Sequence, residues 1–162
     1  MRHFMGTRTF AEYTVMPEIA LAKVDLEAPC NAICTLACGA TTGLAAAIHK
    51  AAVEPGSSVA GFGCGLVGLG VVAGSQIAGA ERFFAFDMSE ERLAKARHYG
   101  ATDCLIGGDE AVERILEMTG GNGVDHSFEA TGNVSFEQGG LLLNGSSMSG
   151  DIDDATLEMH DA

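Results

Sequence analysis

The stretch Ser58-Val59-Ala60-Gly61-Phe62-Gly63-Cys64-Gly65-Leu66-Val67-Gly68 decides the fold. Its short apolar start reads as a buried strand, and the helix candidate Leu66 to Ala78 follows. Gly63 to Gly68 fits G-x-G-x-x-G. In a chain with 22 glycines that hexamer alone is weak evidence. Its context strengthens it. A second strand candidate, Arg82 to Asp87, ends in an acid 19 residues beyond Gly68. Strand, glycine turn, helix, strand and acid in this order form the fingerprint of a dinucleotide-binding unit. Gly63 would make the tight turn, Gly65 would admit a pyrophosphate, and Gly68 would let the helix lie close. The pyrophosphate would sit on the free N–H groups of the helix start. Asp87 would accept hydrogen bonds from the adenosine ribose, and its charge favours NAD over NADP. Arg92 lies within reach of the ribose or a phosphate.

Working outward, Ser89 can cap a helix through Tyr99, with Glu90 and Glu91 in its first turn. Thr102 to Ile106 is a short strand candidate. Asp109 can cap a helix to Met118, and Val124 to Glu129 is a fourth strand. Four strands alternating with three helices predict an α/β fold, a partial doubly wound parallel sheet of the Rossmann type. Before it, Thr9 to Val15 and Ile19 to Val24 alternate like two short strands. Residues 29 to 52 read as two helices, with Gly39 and Gly43 as breaks. After about residue 133 the pattern decays. The last 17 residues hold five acids and no Lys or Arg, which predicts a solvated, disordered tail over 146–162.

Composition excludes several classes. The chain of 162 residues is 47% hydrophobic with 3 prolines, so it has apolar surface enough to fold. Its net charge of −13 argues against a nucleic-acid partner and against a basic membrane anchor. Ala28–Ile48 and Gly56–Ala80 carry no charge, yet their glycines and polar residues suit buried α/β segments better than membrane spans. Five cysteines, an odd count, and no apolar leader after Met1 predict reduced thiols and a cytoplasmic protein. Cys30, Cys34 and Cys38 are spaced four apart, which is no common zinc pattern. Cys30, Cys34, Cys64 and Cys104 read as small buried hydrophobes. The five histidines form no metal-ligand pair.

The residues also carry a resemblance. Phe4-Met5-Gly6-Thr7-Arg8-Thr9-Phe10-Ala11-Glu12-Tyr13-Thr14-Val15, Cys38-Gly39-Ala40-Thr41-Thr42-Gly43, Val53-Glu54-Pro55-Gly56-Ser57-Ser58 and Phe128-Glu129-Ala130-Thr131-Gly132-Asn133 are similar to segments of the zinc-containing medium-chain alcohol dehydrogenases. The similarity extends to their glutathione-dependent formaldehyde dehydrogenase branch. It covers roughly residues 4 to 134. It implies that Cys38 occupies a catalytic zinc-ligand position. It implies that Thr42 and Thr131 lie near the nicotinamide. It further implies that Gly63, Cys64, Gly65, Leu66, Val67 and Gly68 form the pyrophosphate loop, and that Asp87 and Arg92 hold the adenosine ribose.

On this reading residues 1–37 are a remnant of the catalytic domain and linker, and 38–145 a partial NAD-binding domain. The family's other zinc ligands, its proton relay and its structural zinc lobe have no counterpart here. Zinc is therefore not expected to be held by this chain alone, because a catalytic zinc needs three protein ligands. The family reaction is hydride transfer between NAD and an alcohol, or a hydroxymethyl-thiol adduct. This chain alone is expected to be inactive in it. Late sheet strands that carry the family's dimer contact are missing, so dimerisation is in doubt. The alternative is a non-catalytic nucleotide-binding or interaction module.

Overall fold

A computed structural model describes residues 11–108 and 110–132. The chain divides into two units, Met1–Ile33 and Cys34–Ala162.

The first unit has little regular structure among its described residues. A single 3-10 turn spans Glu18–Ala20, and a short helix α1 spans Cys30–Ile33. The two strands expected here do not form among the described residues. Alternation alone does not make a strand, because the backbone N–H and C=O groups of a strand need a paired neighbour. Tyr13, Val15, Ile19 and Leu26 are all strongly exposed.

The second unit holds the sheet. Its strands are β1 (Ser58–Phe62), β2 (Arg82–Asp87), β3 (Asp103–Ile106) and β4 (His126–Glu129). All pairings are parallel, in the order β3-β2-β1-β4. The helices are α2 (Thr41–Ala45), α3 (Leu66–Ala78), α4 (Glu90–His98) and α5 (Ala111–Met118). The expected α/β parallel sheet is therefore present. β3 and β4 start one and two residues later than the sequence suggested.

The two faces of the sheet separate by strand alternation. Val59, Phe83, Ala85 and Phe128 join Val71 and Val72 of α3 and Leu93 and Ala96 of α4 in one cluster. Ala60, Phe84 and Phe86 face Ala111 and Ile115 of α5 on the other side. Burial on both faces explains why β2 reads as an unbroken apolar run rather than an alternating one. Each fully buried Phe contributes about 1.5–3 kcal/mol by removal from water.

Residues 36–50 correct the expected break at Gly39 and Gly43. α2 is flanked by wider, π-type turns at Leu36–Ala40 and Ala46–Lys50. The whole run Cys30–Lys50 is long and apolar enough, by length and composition only, to cross a membrane. Its second half packs on α3 instead. A Cβ on Gly43 would lie 2.1 Å from the Val67 carbonyl oxygen, and one on Gly70 would lie 2.7 Å from the Ala40 carbonyl oxygen. These glycines let two backbones meet, so here they are packing residues inside helical structure, not breaks.

The lower, N-terminal ends of the strands are tied by polar contacts. Asp125 accepts from the Ser58 N–H and hydroxyl, both at 2.8 Å. Arg82 donates to both carboxylate oxygens of Asp103, at 2.9 and 3.2 Å, and to the Met118 carbonyl at 3.0 Å. The C-terminal ends carry the glycine turn.

Candidate functional site

The strand order reverses beside β1, because β2 and β3 extend to one side and β4 lies on the other. The crevice at such a switch point, beyond the strand C-termini, is where open α/β sheets bind ligands. Gly63 to Gly68 leaves β1 at this point.

Each glycine of the turn has a different neighbourhood. Gly63 has φ +92°, and a Cβ there would lie 2.9 Å from Ala130 backbone and from the Thr131 methyl. The turn therefore rests directly on the end of β4. A Cβ on Gly68 would lie 1.8 Å from the Gly63 carbonyl oxygen. That position locks the helix onto the turn. A Cβ on Gly65 would meet nothing within 4 Å. Gly65 is also the N-cap of α3, so the first N–H groups of α3 receive no side-chain cap from it. Such N–H groups, at the positive end of the helix dipole, suit an anion.

Asp87 closes the site from β2. Its side chain is only 6% exposed. One carboxylate oxygen accepts the Cys64 backbone N–H at 2.7 Å. The other accepts the Ser89 N–H at 2.8 Å. Each oxygen retains a further acceptor direction, since an ionised carboxylate offers about four lone-pair sites. The Arg92 guanidinium lies 3.8 Å away and is 60% exposed. Ser89 caps α4 by accepting from the Arg92 N–H at 3.5 Å. Asp109, expected to cap α5, lies outside the described residues.

Cys64 is buried, and its Sγ–H points to the Phe86 carbonyl at 3.8 Å. Burial first, and then the Asp87 carboxylate, push this thiol up to about 12. Cys64 therefore serves the turn through its backbone, and its side chain fills the core. Cys104 is half-buried, in line with the packing role expected for it. Cys30 and Cys34 are exposed, against that expectation.

The remaining expected site residues lie around the turn. Gly39 and Gly43 abut Leu66 and Val67, which brings the segment carrying Cys38 and Thr42 over the start of α3. Cys38 is exposed and Thr42 half-buried. Thr131 is exposed at the end of β4, and its N–H donates to Glu129 at 2.6 Å. Sequence reasoning missed the Ser89 N–H as a fixed partner of Asp87. Its signal was available, because a capping Ser two residues beyond an Asp forms a local turn.

The donor set among the described residues does not fit a three-ligand zinc. Among the described residues no three His, Cys, Asp or Glu side chains stand together as a metal requires.

Comparison with known proteins agrees with this geometry. A sequence family described as zinc-binding dehydrogenase matches residues 67–144. The class-3 alcohol dehydrogenase of Myxine glutinosa is 45% identical over 142 residues, which is 86% of this chain and 38% of that protein. The chain thus spans well under half the length of this curated relative. Among solved structures, an alcohol dehydrogenase zinc-binding domain protein from Burkholderia ambifaria superposes with TM-score 0.67 at 36% identity. That match covers 83% of this chain and 40% of the other. Benzyl alcohol dehydrogenase from Acinetobacter calcoaceticus superposes with TM-score 0.68 at 30% identity, covering 83% and 41%. The fold and the glycine turn define a dinucleotide-binding type of α/β sheet. In sequence and fold the chain is similar, over well under half of their length, to zinc-containing alcohol dehydrogenases.

Proposed function

We propose that this chain is the NAD-binding part of an alcohol dehydrogenase, able to hold the adenosine half of NAD but not to oxidise an alcohol by itself. The observation that carries this reading is the pairing of open space at Gly65 with a carboxylate oriented beside it at Asp87. The pyrophosphate would lie against the N–H groups of Gly65, Leu66 and Val67, with Cys64 and Gly68 shaping the turn. The adenosine ribose hydroxyls would donate to Asp87. Two backbone N–H donors already orient its carboxylate, so binding needs no side-chain search. Its charge opposes the 2′-phosphate of NADP. Arg92 balances that charge at the rim. Thr42 and Thr131 flank the path toward the nicotinamide. Bound NAD would supply the hydride acceptor.

The family substrate is a small alcohol, and the resemblance to the glutathione-dependent formaldehyde dehydrogenase branch extends it to hydroxymethyl-thiol adducts. Here that activity describes lineage. Cys38 is the one family zinc position in the chain, and one thiolate does not hold a catalytic zinc. The odd count of five cysteines supports a reducing compartment, the cytoplasm.

Calorimetric titration with NAD and NADP tests the binding half, with saturable NAD binding and weaker NADP binding expected. A spectrophotometric assay with NAD, a primary alcohol and added zinc tests the other half. The expected rate is that of the protein-free control. Zinc-dependent NADH formation by the isolated chain contradicts it.

A further inference from the structure

We propose that Cys34 and Cys38 form a two-thiol clamp that captures neutral trivalent arsenicals. This does not rest on the NAD reading. Both are exposed thiols, and they lie four residues apart within the helical run Cys30–Lys50. Cys34 follows α1 in a turn and Cys38 lies in the π-type turn Leu36–Ala40. Four residues make about one turn of either helix type, so the two side chains return to nearly one face, and at α-helical spacing their Cβ atoms would be about 5–6 Å apart. A direct disulfide needs about 3.5–4.5 Å between Cβ atoms, so the pair does not close on itself without backbone movement. A third atom bonded to both sulfurs spans the gap, since thiolate bonds to a soft metal centre run about 2.3 Å.

The surroundings select the class of ligand. No charged residue occurs from Ala28 to Ile48. A thiolate pair holding a cation would have no basic neighbour to stabilise it before the cation arrives. A neutral arsenical avoids that cost. In R–As=O, two S–H bonds and the arsenic–oxygen bond break. Two As–S bonds form, and the two protons and the oxygen leave as water. Arsenic stays trivalent and both sulfurs keep their oxidation state, so no oxidant is required.

The test uses phenylarsine oxide, the full chain, and intact-mass measurement after challenge with excess glutathione. Cys30→Ser removes the third thiol at the same spacing and serves as the background. Cys30→Ser protein is expected to retain one phenylarsenic group through the glutathione challenge and to lose it to 2,3-dimercaptopropanol. Cys30→Ser/Cys34→Ser and Cys30→Ser/Cys38→Ser are expected to lose it to glutathione alone. Peptide mapping of the Cys30→Ser adduct locates the group without further substitution, and it should fall on the peptide that holds Cys34 and Cys38. Retention in either double variant overturns the proposal. So does loss of the adduct from the Cys30→Ser protein, or its mapping to Cys64 or Cys104.

Discussion

The Asp87 carboxylate accepts the backbone N–H of Cys64 at 2.7 Å, across a sequence separation of 23 residues. This contact fixes the end of β2 against the turn that follows β1. One side chain thereby sets the shape of the turn and, on the proposed function, the place where a ribose would bind.

Asp87→Ala should weaken NAD binding about tenfold to a hundredfold, because hydrogen bonds to a charged group contribute about 1.5–3 kcal/mol. It should also lower folding stability, since the Cys64 and Ser89 N–H groups lose a buried acceptor. Calorimetry and thermal unfolding measure the two effects separately. Asp87→Asn should recover more of the stability than of the NAD preference over NADP.

Gly65→Ala and Gly68→Ala should separate binding from folding. The space at Gly65 is open, so alanine there should leave the unfolding midpoint nearly unchanged and reduce NAD affinity. At Gly68 a Cβ would stand 1.8 Å from the Gly63 carbonyl oxygen. Alanine there should cost at least the 1–3 kcal/mol or so typical of overpacking. Gly43→Ala should behave like Gly68→Ala, because it forces α2 away from α3.

Much of this was legible in the sequence, for identifiable reasons. α3 and β2 fell where expected because a buried parallel strand and the helix after a glycine turn leave long, unmistakable apolar runs. The Ser89 cap was legible from residue type alone. The described part of the first segment, residues 11–24, was not, because alternation reports which side chains would share a face and says nothing about whether a partner strand exists. Gly39 and Gly43 misled for a related reason. A glycine in a helix costs about 1 kcal/mol against alanine, and only the close approach of α3 offsets it. Asp87 was legible as a candidate from spacing, whereas its two backbone donors come from turns that spacing does not describe.

Acid should destabilise the fold through the lower rim of the sheet. Hydrogen bonding from Arg82 lowers the Asp103 carboxyl, and hydrogen bonds from the Ser58 backbone and hydroxyl lower Asp125. A carboxyl lowered in the folded state stabilises it at all pH values above the unfolded pKa, about 3.9. That contribution is lost as pH falls from there through the folded value. Asp103→Asn and Asp125→Asn should therefore reduce stability at pH 7 and flatten its decline below about pH 4. Urea unfolding at a series of pH values measures this.

The thiols should divide by reactivity. Cys64 is buried and held up to about 12 by burial and by Asp87, so it carries almost no thiolate at neutral pH. Iodoacetamide followed by peptide mapping should label Cys34 and Cys38 in the native protein and leave Cys64 unmodified. Cys64 should become labelled only on unfolding.

The most direct test of the central claim is a backbone NMR titration of the chain with NAD. The account expects the amide resonances of Cys64, Gly65, Leu66 and Val67 to shift together and saturate, with Ser89 moving alongside them through Asp87. Unchanged turn amides at NAD concentrations that saturate a calorimetric signal, or shifts confined to other parts of the chain, would contradict it.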